Sequence, residues 1–176
     1  TMSLAATLER RLADRTATVA VIGLGYVGLP LVCLLVERGF PTLGFDTDPA
    51  KVTALNGGRS YIHQIAPARI EALNATGRFR ATGEMAALGE ADAVLICVPT
   101  PLTRHRTPDL SFVLDTGRAL GRQLRRGQLV ILESTTYPGT TAGELKPVLE
   151  AASGLAAGRD FFLAYSPERE DPGNPA

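Results

Sequence analysis

The sequence predicts an α/β fold, a doubly wound and mostly parallel sheet with helices on both faces. Short apolar runs rich in β-branched residues alternate with stretches of helical periodicity, which is the pattern of repeated βα units. Residues 91–99, ADAVLICVP, form a nearly continuous apolar run, as expected of a strand buried on both faces of a parallel sheet. A length of 176 residues fits one such domain with one core.

Turn residues separate the predicted strands from the predicted helices. The strands cover, in chain order, residues 18–23, 42–46, 78–82, 91–99, 128–134 and 160–166. The first helix between strands ends at Gly39, and the next begins with Asp48 as N-cap and Pro49 as its first helical residue. We expect Asp109 to cap a later helix. The remaining helices are predicted over residues 67–74, 109–124 and 140–153.

The composition narrows the class of partner. The chain has 18 Lys and Arg against 18 Asp and Glu, and no basic block. A balanced charge gives no electrostatic reason to expect nucleic acid or an acidic membrane surface. No signal peptide stands out, and no apolar run is long enough to span a bilayer. We therefore expect a cytoplasmic domain that binds a small molecule.

We divide the chain into residues 1–17, an amphipathic N-terminal helix or an extension left by expression, and residues 18–176, the α/β domain. The order Thr1-Met2 favours such an extension. Cys33 and Cys97 both lie in apolar runs, where thiols behave as small hydrophobes, so we predict neither a disulfide nor a metal site.

The first strand–helix junction carries a glycine motif of the Rossmann type. Residues 23–28 read G-L-G-Y-V-G, a G-x-G-x-x-G that follows a predicted strand and opens a predicted helix. In that setting Gly23 makes the tight turn, Gly25 lets a pyrophosphate approach the backbone, and Gly28 lets the helix pack close to the strand. The helix N-terminus adds N–H donors and the positive end of its dipole. A glycine-rich turn without a ligand is the alternative.

An acidic residue follows at the spacing that a dinucleotide site requires. Asp46 ends the second strand, 18 residues after Gly28. Its carboxylate suits the adenosine ribose and repels a 2′-phosphate, so the cofactor predicted is NAD rather than NADP. Lys51 lies within reach of the adenosine side, although a solvated lysine on a helix face is an equal alternative. Asp48 is interpreted as a helix cap and not as a ligand.

The exits of the fourth and fifth strands carry hydroxyl groups. Ligands of open parallel sheets sit outside the carboxyl ends of the strands, so Thr100 and Thr135 are candidates to contact the cofactor or a reacting water. Thr140 or Thr141 is a candidate N-cap for the following helix.

Two charged loops lie near the same edge. Arg104 and Arg106 either bring cations over a phosphate or belong to a solvated loop, and neither His63 nor His105 is assigned a role. The last strand leads into SPEREDPGN, where Glu168 is a candidate general base; a solvated charged loop is the alternative.

Five motifs occur in an order that resembles the UDP-glucose/GDP-mannose dehydrogenase family, the nucleotide-sugar dehydrogenases. They are GLGYVGLP, FDTDPAKV, CVPTPL followed by PDLS, ESTTYPGTT and YSPEREDPGN, and they span residues 18–174. SYI at residues 60–62, VPTPL with PDLS, and SPEREDPGN resemble the branch that oxidises UDP-N-acetylglucosamine or UDP-N-acetylmannosamine. Members acting on UDP-glucose usually carry a phenylalanine and a second glutamate where this chain has Arg169 and Pro172.

The resemblance implies oxidation of a sugar C6 hydroxyl to a carboxylate with two NAD+. In the family a cysteine captures the aldehyde as a thiohemiacetal, which is oxidised to a thioester and hydrolysed. Thr135 matches the hydroxyl that helps to order water, Glu168 matches the glutamate proposed to activate it, and Arg169 lies in the loop that meets the substrate. The positions that match NAD contacts are Gly23, Gly25, Tyr26, Val27, Gly28, Asp46, Lys51, Thr100 and Thr135.

One departure from the family pattern limits what this chain is expected to do. The family's nucleophilic cysteine and a catalytic lysine lie beyond the segment matched here, in motifs that this chain lacks, and neither Cys33 nor Cys97 fits that role. We therefore expect the NAD-binding domain of a longer, homo-oligomeric enzyme, whose central helix and C-terminal UDP-binding domain are absent. The 176 residues alone should bind NAD weakly and turn over no UDP-sugar.

Three alternatives remain open at this point. The first is a UDP-glucose or GDP-mannose 6-dehydrogenase of the same family. The second is a regulatory module that senses NAD without catalysis, against which Glu168 and Thr135 argue. The third is a 6-phosphogluconate or hydroxyacid dehydrogenase, against which YSPEREDPGN argues.

Overall fold

A computed structural model describes residues 2–167 and contains one parallel sheet of six strands. The strands are β1 (Val19–Ile22), β2 (Thr42–Phe45), β3 (Phe79–Thr82), β4 (Ala93–Ile96), β5 (Leu129–Leu132) and β6 (Phe162–Tyr165). They lie in the order β3-β2-β1-β4-β5-β6, and every neighbouring pair is parallel. The α/β fold predicted from the sequence is confirmed.

Helices cover both faces of this sheet. They are α1 (Leu4–Ala13), α2 (Gly28–Glu37), α3 (Pro49–Asn56), α4 (Pro67–Ala75), α5 (Ser111–Gly121) and α6 (Lys146–Ser153). Alternate residues of β1 supply the two cores: Val19 and Val21 pack with α2, α3 and α4, whereas Ala20 and Ile22 pack with α5 and α6. Because β1 is buried on both faces, every one of its side chains is apolar.

The strand order creates a crevice at the carboxyl edge of the sheet. β1 lies between β2 and β4 in the sheet. After β1 the chain continues to β2 in one half of the sheet, whereas after β4 it continues to β5 in the other half. Ligands of open α/β sheets bind where the strand order reverses in this way. The fold therefore predicts a ligand site at the exits of β1 and β4.

Two details differ from the sequence prediction for the last helix and for α5. The predicted helix over residues 140–153 is split into a π-helical turn, Thr141–Leu145, and α6. Pro147 explains the split, because it has no N–H and its ring clashes with the preceding turn of a regular helix. The predicted cap Asp109 lies one position too early, since Leu110 is the N-cap of α5; the Asp109 carboxylate still accepts the Ser111 N–H at 2.9 Å.

A 3₁₀ helix at Met85–Glu90 also escaped the prediction. It is six residues long, which is too short to show a helical repeat of apolar residues. Within residues 2–167, no helix combines the length and the apolar character that crossing a bilayer requires.

The amino edge of the sheet is held by a buried carboxylate. Asp92 is 4% exposed and accepts the backbone N–H of Thr18 at 2.9 Å. It also accepts guanidinium N–H groups from Arg11 of α1 at 2.5 Å and from Arg125 at 2.9 Å. Arg125 further donates to the carbonyls of Gly89 and Ala91. This network attaches α1 and the β5 entry to the start of β4.

We expect Asp92→Asn to lower the free energy of unfolding by about 2–3 kcal/mol, because it leaves two arginines with one neutral acceptor in a buried position. Urea denaturation measures this change. Glu90→Gln is the matched control: its partner Arg80 is 2.8 Å away, but both side chains are more than half exposed, so the loss should stay within about 0.5 kcal/mol. Equal losses of unfolding free energy in the two variants would contradict the proposed role of Asp92 in holding the amino edge of the sheet.

Candidate cofactor site

A cavity of about 870 Å³ opens at the carboxyl edge of the sheet, at the exits of β1, β2, β4 and β5. Its volume lies within the range of small-molecule and cofactor sites. The sequence-predicted residues that line it are Gly23, Gly25, Tyr26, Val27, Asp46, Lys51, Thr100 and Thr135. Gly28 does not line the cavity and lies at the buried start of α2.

The glycines of the first loop meet three different constraints. Gly23 has φ +93°, and a Cβ there would lie 2.7 Å from the carbonyl oxygen of Cys97. A Cβ on Gly28 would overlap the carbonyl oxygen of Gly23, so α2 cannot pack this closely to the loop with any larger residue. A Cβ on Gly25 would meet nothing within 4 Å. The fold needs Gly23 and Gly28, and it leaves Gly25 facing open space.

The N-terminus of α2 stands beside this open space. Its N-cap is Val27, whose side chain makes no capping hydrogen bond. In α2 the Leu29 N–H donates to the Gly25 carbonyl at 3.1 Å and Pro30 has no N–H, so an anion would be attracted by the helix dipole and the remaining N–H groups of this turn. The arrangement suits a phosphate group of a ligand in the cavity.

Asp46 is oriented before any ligand arrives. It follows β2, is 9% exposed, and accepts the Leu24 N–H with Oδ2 at 2.9 Å and the Asp48 N–H with Oδ1 at 3.0 Å. The Lys51 ammonium lies 3.4 Å from Oδ2. An ionised carboxylate offers about four acceptor positions. The Asp46 carboxylate can therefore still accept a hydrogen bond from a ligand hydroxyl in the cavity.

Lys51 is more constrained than a solvated lysine on a helix face. Its side chain is about one-third exposed, and its ammonium lies both 3.4 Å from Asp46 and 5.8 Å from the centre of the Tyr61 ring. Asp48, by contrast, caps α3 by accepting the Ala50 N–H at 2.9 Å, which agrees with its predicted role as a cap.

The hydroxyl of Thr100 joins the exits of two strands. It donates to the carbonyl oxygen of Thr135 at 2.6 Å, and beneath it the Ser134 hydroxyl donates to the Val98 carbonyl at 2.7 Å. Thr140 is buried and donates to the Tyr137 carbonyl at 2.7 Å, and it makes no capping hydrogen bond at the following helical turn. Thr140 therefore occupies the N-cap position of that turn, as one of the two predicted candidates, but its side chain supplies no capping hydrogen bond.

The charged loop between β4 and α5 lies outside the cavity lining. Thr103 and Thr107 close it, with their hydroxyl oxygens 2.8 Å apart, and the side chains of Arg104, His105 and Arg106 are exposed. His63 is also exposed. Glu168 and Arg169, the candidates for water activation and substrate contact, lie outside the described residues.

Several cavity residues were not found from the sequence. Met85 of the 3₁₀ helix and one face of α5, formed by Phe112, Asp115, Thr116 and Ala119, complete the wall. The spacing of this face was a usable signal, because it lies opposite the buried face that contains Val113, Gly117 and Leu120. Tyr61 does not line the cavity but donates to the Leu24 carbonyl of the glycine loop, and the sequence marked it only as part of SYI.

These features together fit NAD. An unblocked glycine at a helix N-terminus suits a pyrophosphate, and a fixed carboxylate at the β2 exit suits an adenosine ribose. A ribose 2′-phosphate would meet the negative charge of Asp46.

Comparison with known proteins agrees with this geometry. A sequence model described as "UDP-glucose/GDP-mannose dehydrogenase family, NAD binding domain" matches residues 17–176. UDP-N-acetyl-D-glucosamine 6-dehydrogenase of Pseudomonas aeruginosa is 39% identical over 158 residues, which are 89% of this chain and 36% of that protein. The structure of NDP-N-acetyl-D-galactosaminuronic acid dehydrogenase from Methanosarcina mazei Go1 has a TM-score of 0.83 and 36% identity, covering 97% of this chain and 38% of its own.

A third relative gives the same result. The structure of the UDP-D-ManNAc dehydrogenase from Pyrococcus horikoshii has a TM-score of 0.82 and 35% identity, covering 89% of this chain and 37% of its own. This chain therefore spans a little more than a third of the length of these relatives. Because the match to the family extends over nearly the whole chain, the resemblance seen in the sequence is confirmed, and the chain belongs to the UDP-glucose/GDP-mannose dehydrogenase family as its NAD-binding domain.

Proposed function

We propose that this chain is the cofactor-binding part of a longer nucleotide-sugar dehydrogenase that oxidises the C6 hydroxyl of a UDP-N-acetylhexosamine to a carboxylate. The observation that carries the cofactor assignment is the open space at Gly25 beside the oriented carboxylate of Asp46. Bound NAD+ supplies the hydride acceptor, and two are needed because the change from alcohol to carboxylate removes four electrons and takes its second oxygen from water.

Each candidate residue has a role in this proposal. The loop from Gly23 to Gly28, with Tyr26 and Val27, holds the pyrophosphate, and Asp46 accepts hydrogen bonds from the adenosine ribose. Lys51 stays on the adenosine side, where it offsets part of the Asp46 charge. The exits of β4 and β5 face the other half of the cofactor, where Thr100 braces the loop and Thr135 helps to order water.

The remaining chemistry needs groups outside the described residues. We assign Glu168 to activation of the hydrolytic water and Arg169 to the substrate loop. Neither cysteine suits the nucleophile: Cys33 is fully buried in α2, and Cys97 lines the cavity at the exit of β4 but lies outside the glycine-rich motif in which the family carries its cysteine. A thiol from the longer protein is required.

The substrate branch rests on sequence features and on the names of relatives. Arg169 and Pro172 stand where UDP-glucose dehydrogenases usually carry phenylalanine and glutamate. Relatives of 35–39% identity are named for UDP-N-acetyl-D-glucosamine or UDP-N-acetyl-D-mannosamine. We further propose a cytoplasmic homo-oligomer for the longer protein, in keeping with the family resemblance.

Gly25→Ala and Gly28→Ala separate binding from folding. Gly25 has open space and no left-handed φ, so alanine should change the free energy of unfolding by less than about 1 kcal/mol. The methyl group would, however, occupy the space through which the pyrophosphate approaches, and the dissociation constant for NAD+ should rise at least about tenfold.

Gly28→Ala should cost at least about 3 kcal/mol of stability, because its methyl group overlaps the Gly23 carbonyl. Calorimetric titration and urea denaturation measure both quantities. Unchanged NAD+ affinity in Gly25→Ala would contradict the proposed pyrophosphate contact.

The choice of NAD over NADP should depend on Asp46. The wild-type chain should bind NAD+ at least about tenfold more tightly than NADP+, and Asp46→Asn should weaken NAD+ binding about tenfold while narrowing that preference. Glu84→Gln removes a carboxylate from an exposed position after β3 and serves as the control for net charge. If both variants change the preference equally, general charge rather than a ribose contact sets it.

Turnover should require the longer protein. Its NADH production at 340 nm should reach two NADH per molecule of a UDP-N-acetylhexosamine, and the 176-residue chain alone should produce none. Activity confined to UDP-glucose or GDP-mannose would overturn the substrate assignment. Sugar oxidation by the isolated chain would overturn the requirement for an external thiol.

A further inference from the structure

We infer that Tyr61 is a positioning residue for the dinucleotide loop: its hydroxyl selects the orientation of the Leu24–Gly25 peptide that receives the pyrophosphate. The inference rests on the proposed NAD site. Tyr61 does not line the cavity, and its hydroxyl donates to the carbonyl oxygen of Leu24 at 2.6 Å. It therefore acts through the backbone.

Leu24 is held at three points. Its side chain is fully buried, with its methyl carbons close to Gly44 of β2. Its N–H donates to Asp46 at 2.9 Å, and its carbonyl accepts from Tyr61. The first two contacts fix residue 24 itself, and only the third fixes the peptide group that follows it.

That third contact matters because Gly25 tolerates either orientation of this peptide. A peptide group can rotate as a unit when the residue after it accepts a positive φ, and glycine does so without a steric penalty. The peptide is planar and trans, so the Gly25 N–H points away from the side on which the Leu24 carbonyl lies. By holding the carbonyl, Tyr61 fixes the direction of the N–H in the glycine that lines the cavity.

The tyrosine is itself well fixed. It lies between α3 and α4, next to the buried Ile62, and the Ser60 hydroxyl bonds within the same turn to the Ile62 carbonyl at 3.1 Å. The Lys51 ammonium packs 5.8 Å from the ring centre. Burial raises the pKa of the Tyr61 hydroxyl, and the charges of Asp46 and Asp48 raise it further, so the group stays protonated and donates at neutral pH.

The expected size of the effect follows from a population shift. Without the hydroxyl, the peptide divides between two orientations, and the apparent affinity falls with the fraction that remains competent. A typical protein hydrogen bond corresponds to about a two- to tenfold change. We therefore expect about fivefold weaker binding, limited to ligands that contact the loop.

The test compares Tyr61→Phe with the wild-type 176-residue chain and with Tyr137→Phe as control. Tyr137 is a half-exposed tyrosine at the same sheet edge that does not line the cavity. NMR titrations measure dissociation constants for NAD+, ADP-ribose and adenosine, and hydrogen exchange of the Gly25 amide is followed without ligand.

For Tyr61→Phe, the constants for NAD+ and ADP-ribose should rise about fivefold, adenosine should change less than twofold, and the Gly25 amide should exchange faster. Tyr137→Phe should match the wild type. Equal weakening of all three ligands would show a merely structural role, and unchanged constants would also overturn the inference. If the wild-type chain does not bind NAD+, the proposed function fails as well; if only the Tyr61→Phe comparison fails, the proposed function stands.

Discussion

The hydrogen bond between the Asp46 carboxylate and the Leu24 N–H is the interaction on which the candidate site depends. It joins residues 22 positions apart, the exit of β2 to the turn that follows β1. The other carboxylate oxygen accepts the Asp48 N–H, and so the start of α3 is aligned with the same group. One side chain thus shapes the glycine loop from beneath and presents a negative charge to the cavity. The proposed discrimination between NAD and NADP and the local architecture of the glycine loop therefore depend on the same residue.

The two edges of the sheet carry different kinds of polar contact. At the amino edge, Asp92 is enclosed by Arg11, Arg125 and the Thr18 N–H, and these contacts serve to join segments of the fold. At the carboxyl edge, polar groups line an open cavity and retain capacity for further bonds. Parallel strands produce this asymmetry, because their exits all lie at one edge, where loops are free to vary without disturbing the core.

The features predicted from the sequence are those encoded within a few neighbouring residues. Five of the six strands were visible as apolar runs, and residues 78–82, which carry two arginines, only as a possible short strand; the G-x-G-x-x-G with Asp46 was visible as a spacing. The features that escaped prediction depend on tertiary contacts: Phe112 of α5 lines the same cavity as the residues that follow β4, and Tyr61 contacts Leu24, 37 positions away in the chain. The π-helical turn before Pro147 was readable in principle, since proline disrupts the preceding turn wherever it occurs inside a helix.

The bond from Thr100 to the Thr135 carbonyl has a consequence for how the two strand exits respond to a ligand. It connects the segments that follow β4 and β5, although 35 positions separate the two threonines in the chain. A group that presses on one segment must either move the other or break a short hydrogen bond. The two exits are therefore coupled, and a change in the width of this half of the cavity favours a joint shift of both segments as long as this hydrogen bond is kept.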